Sequence, residues 1–88
     1  MNNDTIKALL IKHEGIKFKP YKDTVGKWTI GVGRNLDDKG ISITEAMFLL
    51  QNDIDECERD LASKIFIGKF YEFPEDIQHV LIDMRLQL

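Results

Sequence analysis

The sequence predicts an α+β fold in which a small antiparallel β-hairpin lobe is combined with helices. Three observations predict it: helical periodicity near the start, apolar/polar alternation between glycine- and aspartate-rich turns, then two further helical stripes. The expected layout is one domain over residues 1–88, with helices at about 4–14, 43–63 and 74–88 and a hairpin lobe at about 15–41.

Asn3 or Asp4 supplies a cap for the first helix, and Ile6, Leu9 and Leu10 follow at helical spacing. Gly15 is the natural stop, which leaves Glu14 in the last turn. The negative end of a helix dipole favours a protonated carboxyl, the form a general acid needs. A solvated terminal glutamate is the plainer alternative.

Ile16, Phe18 and Pro20 alternate with Lys17, Lys19 and Tyr21, predicting an edge strand ended by the proline. Asp23-Thr24-Val25-Gly26-Lys27 is a turn in which Asp23 serves either as a backbone cap or as a second reactive carboxyl. Trp28, Ile30 and Val32 then alternate with Thr29, Gly31 and Gly33. One strand face is expected to be bulky and the other to carry a hydroxyl and two bare backbone positions. Such glycines mark either close approach of a ligand or a bulged hairpin. Arg34 follows the strand, within reach of Asp37 and Asp38.

Ser42-Ile43-Thr44-Glu45 is a capping box opening a long helix. Ile43, Met47, Leu50, Ile54, Cys57 and Leu61 form its apolar seam, and Asp53, Asp55, Glu56, Glu58, Arg59 and Asp60 its wet side. Those acids read as a solvated face or, less simply, as a metal site. Residues 65–73 form an apolar connector that needs cover. Pro74 opens a third helix with a stripe of Ile77, Val80, Leu81, Met84 and Leu88.

Composition excludes several classes. The net charge of −3 and the absence of a basic stripe argue against nucleic acid. No stretch reaches the ~18 apolar residues of a membrane span. The single cysteine, Cys57, rules out an intramolecular disulfide and fits a buried thiol. His13 and His79 lack metal-ligand spacing, and no metal or cofactor is implied. The start has neither a basic nor an apolar signal region, predicting cytoplasmic synthesis with no secretion signal.

The run His13-Glu14-Gly15, then Tyr21-Lys22-Asp23-Thr24, then Trp28-Thr29-Ile30-Gly31-Val32-Gly33 resembles the catalytic segment of phage-type lysozymes, the endolysins of glycoside hydrolase family 24. The long capped helix and Leu81-Ile82-Asp83-Met84 extend the resemblance across the chain. It implies a lysozyme-like fold and cleavage of β-1,4 links between N-acetylmuramic acid and N-acetylglucosamine in peptidoglycan. By position, Glu14 matches the general acid, Asp23 the carboxylate across the cleft, and Thr29 the hydroxyl holding the attacking water. Gly31 and Gly33 would let the glycan lie against the backbone, with Arg34 bracing the cleft. Relatives of this type carry further C-terminal helices, so the C-terminal lobe is expected to be incomplete. Three readings follow: a fragment of an endolysin, a form completed by self-association, or a non-catalytic module that binds wall glycan or a partner. An endolysin made in a host cytoplasm would act on the wall after release. A homo-oligomer, or a partner covering the third helix, is expected.

Overall fold

The computed structural model describes residues 3–87. The backbone forms two compact units, residues 1–42 and 43–88.

In the first unit, α1 spans Asn3–Glu14, with Asp4 in its first turn and Lys12 and His13 in its last, the order the helix dipole favours. The Gly15 amide donates to the Ile11 carbonyl at 2.7 Å and ends the helix where the sequence predicts. Three antiparallel strands follow in the spatial order β1-β2-β3: Lys17–Lys22, Trp28–Gly31 and Arg34–Asn35. β1 pairs with β2 through Lys17↔Gly31, Tyr21↔Thr29 and Lys22↔Trp28, and β2 with β3 through Thr29↔Asn35 and Ile30↔Arg34.

Two strand expectations need correction. β1 is an edge strand, but Pro20 does not end it: the register shifts between Lys17 and Tyr21, and pairing resumes beyond the proline. A residue with no N–H is tolerated at such an irregularity on an edge. The second strand stops at Gly31 rather than continuing to Gly33. Gly31 and Gly33 have φ of +67° and +69°, a left-handed conformation that breaks the strand and turns the chain into β3.

At the start of β2 the simple alternation rule fails, although Ile30 beyond it is half-buried. Thr29 is buried, at 4% exposure, while Trp28 is exposed at 45%. Thr29 occupies the central strand with its hydroxyl satisfied locally, so burying it leaves no polar group unpaired. Trp28 lies outside, with the Lys22 ammonium 5.2 Å from its ring centroid.

In the second unit, α2 spans Ile43–Asp60, directly after Ser42 of the predicted capping box. A π-helical turn, Leu61–Ile65, follows, closed by the Phe66 amide on the Leu61 carbonyl at 2.8 Å. The expected helix to about residue 63 thus changes its winding at residue 61. Phe70–Glu72 form a 3₁₀ turn, and α3 spans Glu75–Leu86 with Pro74 at its N-cap. Among the described residues of this unit, Cys57, Leu61 and Phe70 are the buried apolar ones. Phe66 and Phe73 meet edge to face at 5.3 Å, so the connector supplies part of its own cover. The upper part of the α2 seam, Ile43, Met47 and Leu50, is exposed. So are Ile77, Val80 and Met84 of the α3 stripe; Leu88, the last predicted member, lies outside the described residues.

One charged cluster ties α2 to α3. Arg85 donates to Asp60 at 3.1 Å, and Lys64 lies 3.4 Å from the same carboxylate. The Arg85 hydrogen bond, more than the opposing effect of burial, holds the Asp60 carboxyl below its ordinary value; Lys64 adds to the lowering.

Candidate active site

All six residues singled out from the sequence lie in the first unit. Glu14 is the final residue of α1. Its side chain is exposed, and it forms no hydrogen bond or ion pair with any of the described residues. Its carboxyl lies over the turn after β2: a Cβ placed on Gly33 would stand 3.4 Å from Glu14 Oε2 and 3.8 Å from Cδ. Two chain segments thereby meet. The last residue of α1 stands three positions before Lys17, and Gly33 stands two positions after Gly31, the register partner of Lys17.

Asp23 sits at the opposite end of the hairpin, next to the Lys22↔Trp28 pair. Its Oδ1 accepts from the amides of Val25 at 3.0 Å and Lys27 at 2.9 Å. Its own amide donates to the Lys27 carbonyl at 2.9 Å, and its carbonyl accepts from Gly26 at 3.1 Å. The capping role offered by the sequence is therefore present. Both side-chain bonds fall on one oxygen; Oδ2 takes no hydrogen bond from the described residues.

Thr29 Oγ1 donates to the Lys27 carbonyl at 3.0 Å. That carbonyl therefore receives both the Asp23 amide and the Thr29 hydroxyl, linking two of the candidate residues through one backbone oxygen. Lys27 was not among the residues the sequence singled out. Its contribution comes from the main chain, which no side-chain pattern reveals; the turn spacing between Asp23 and Thr29 is the one available signal. The Lys27 ammonium also pairs with Asp38 at 3.2 Å, across the outside of the turn.

Gly31 and Gly33 bracket the tight turn between β2 and β3. Arg34 opens β3, half-buried, with its Nη1 donating to the Gly40 carbonyl at 3.1 Å. Asp37 and Asp38, its alternative partners from the sequence, make other bonds. Asp37 Oδ2 accepts from the Trp28 amide at 2.7 Å, and Asp38 Oδ2 accepts from Asn35 Nδ2 at 3.0 Å.

The structure thus brings Glu14 to Gly33, and Asp23 to Thr29 through Lys27. The two groups occupy opposite ends of the same short sheet. Between Trp28 and Gly31, β2 advances three residues, roughly 10 Å at the rise of a strand. This arrangement presents one exposed carboxyl and one partly engaged carboxylate on a shared scaffold, with a hydroxyl beside the second.

No curated protein matches the chain significantly. The sequence model of the phage lysozyme family matches residues 11–72, a span that includes every candidate site residue and all three strands. A match over most of the chain, this sheet included, establishes that the protein belongs to the phage lysozyme family of lysozyme-like glycosidases.

Proposed function

We propose that this chain is a muramidase of the endolysin type, hydrolysing the β-1,4 link between N-acetylmuramic acid and N-acetylglucosamine in peptidoglycan. The observation that carries the reading is the division of labour across the sheet. Glu14 is a carboxyl without a hydrogen-bond partner among the described residues, while Asp23 is a carboxylate held in a defined turn and coupled to Thr29.

The proposed chemistry gives each group one role. Glu14, protonated, donates its proton to the glycosidic oxygen as the bond to the anomeric carbon breaks. A water attacks that carbon from the opposite face and passes its proton to Asp23, whose Oδ2 is not engaged in the turn. The Thr29 hydroxyl has committed its hydrogen to the Lys27 carbonyl. Its remaining lone pairs accept from the water, which keeps an oxygen lone pair directed at the sugar. Inversion at the anomeric carbon needs about 6.5–9.5 Å between the carboxyl groups. The backbone anchors at opposite ends of β2 support a separation on that scale. Gly31 and Gly33 leave the turn bare for a glycan to approach, and Arg34, next in the chain, braces the cleft. The substrate is the wall glycan, reached after release from the cytoplasm where the chain is made.

The deciding experiment is Glu14→Gln on purified peptidoglycan, reading new reducing ends. The expected result is a loss of about 10²–10⁴-fold, the usual contribution of general acid catalysis, at an unchanged melting temperature. Wild-type turnover by the Gln variant defeats the assignment. A second reading, a non-catalytic module that binds wall glycan or a protein partner, draws support from the exposed stripe on α3. It predicts that wild-type protein sediments with walls and releases no reducing ends.

A further inference from the structure

We propose that Gly33 is a positioning residue for Glu14, its missing side chain forming the seat on which the acid's carboxyl rests. The proposal depends on the reading of Glu14 as the general acid. A glycine in the turn after β2 has a conformational explanation already, since its φ is +69°. That explanation does not account for the space beside it. A Cβ on Gly33 would meet three atoms of one side chain, Glu14 Oε2, Cδ and Cγ, at 3.4, 3.8 and 3.9 Å. Built on Gly15, Gly26, Gly31 or Gly68, whose φ values are also positive, a Cβ meets nothing within 4 Å.

Both sides of this contact are fixed by the backbone. The Glu14 end of α1 is closed by the Gly15–Ile11 hydrogen bond. The Gly33 turn is closed by the Ile30↔Arg34 pair. Between them the Glu14 side chain has several rotatable bonds and no hydrogen bond with the described residues. Contact with a bare turn is then what restricts its rotamers, and an acid must be held near one geometry to protonate a leaving oxygen. A Cβ alone would stand at ordinary contact distance from Glu14, whereas a side chain reaching beyond Cβ would occupy that place.

The test uses a matched pair of substitutions, Gly33→Asn and Gly68→Asn. Asparagine tolerates the left-handed conformation, and the two sites have similar φ, +69° and +72°. The backbone cost is therefore matched, while the Glu14 contact belongs to position 33 alone. Rotamer populations of Glu14, from three-bond NMR couplings, should broaden in Gly33→Asn and match wild type in Gly68→Asn. On solubilised peptidoglycan, kcat should fall about 10²-fold in Gly33→Asn, the scale of a one-ångström misplacement, with KM little changed. If Gly33→Asn fails to fold, the wild-type couplings carry the test, and Glu14 rotamers averaged as in an unrestrained glutamate overturn the proposal. Unchanged Glu14 rotamers in the folded position-33 variant overturn the proposal. A wild-type chain that releases no reducing ends would instead overturn the general-acid reading, and the rotamer measurement would still decide whether Gly33 seats Glu14.

Discussion

Asp23 and Lys27 hold each other twice: the Asp23 carboxylate accepts from the Lys27 amide at 2.9 Å, and the Asp23 amide donates to the Lys27 carbonyl at 2.9 Å. The turn is therefore closed from both directions, and the carboxylate that closes it is the one proposed to take a proton from water. The two roles separate by substitution. Asparagine retains a side-chain carbonyl at the Oδ1 position and preserves the cap, whereas alanine removes it. Asp23→Asn should keep the melting temperature near wild type and lose most of the turnover. Asp23→Ala should lose turnover and also about 0.5–2 kcal/mol of stability, the cost of deleting such a cap. Thermal denaturation and reducing-end release on the same samples check both. Full turnover in Asp23→Asn would leave Asp23 a turn residue only.

Thr29 gives a similar contrast with a different chemistry. It is buried, and its hydroxyl donates to the same Lys27 carbonyl. Thr29→Ser keeps the hydroxyl and should retain much of the activity. Thr29→Val keeps the shape but removes the donor, leaving the Lys27 carbonyl with one bond fewer. A buried polar partner left short costs about 1–3 kcal/mol. If Thr29 also holds the attacking water, Thr29→Val should lose turnover beyond that destabilisation, measured well below its melting temperature. A valine variant that is less stable yet turns over normally would remove the water-holding role.

Much of this was legible before any coordinates. The α+β class, the end of α1 at Glu14, the edge position of β1 and the start of α2 after Ser42 all follow from caps, glycines and periodicity. These are local signals, set by which backbone groups lack partners. Three features were not legible. The inward-facing Thr29 and outward-facing Trp28 reverse the apolar-inside rule, because a hydroxyl paired within two residues carries no burial penalty. The end of β2 at Gly31 was hidden because glycine reads equally as a strand gap or a turn. The Gly33–Glu14 contact joins residues far apart in sequence, and no periodicity encodes it.

The Asp60–Arg85 pair predicts a pH dependence confined to acid. The Asp60 carboxyl is lowered in the folded chain, chiefly by the Arg85 hydrogen bond, from an ordinary value of 3.8. A group whose folded value lies below its unfolded one stabilises fully above the unfolded value. That contribution is lost as the pH falls through the folded value, below 3.8. Urea denaturation of wild type and Asp60→Asn should therefore give a constant difference near neutral pH that shrinks as the pH falls below 3.8. A difference that persists undiminished in strong acid would show that the pair is held by packing and not by charge.

The exposed stripe on α3 leads to the last prediction. Ile77, Val80 and Met84 lie on the helix surface with large exposed fractions, and Leu81 is half-buried beside them. Full burial of such a side chain contributes about 1.5–3 kcal/mol relative to exposure, enough for a few of them to drive association. We expect the chain to self-associate through this face, with two-fold symmetry the commonest arrangement for such contacts. Met84→Glu tests this cleanly because Met84 is already exposed, so the change should leave the folded monomer nearly as stable. At an interface the same glutamate would be buried without a partner and should weaken association by at least tenfold. Sedimentation equilibrium of both proteins over a wide concentration range measures the difference. A wild-type chain that stays monomeric throughout would remove self-association and leave the stripe to a different partner.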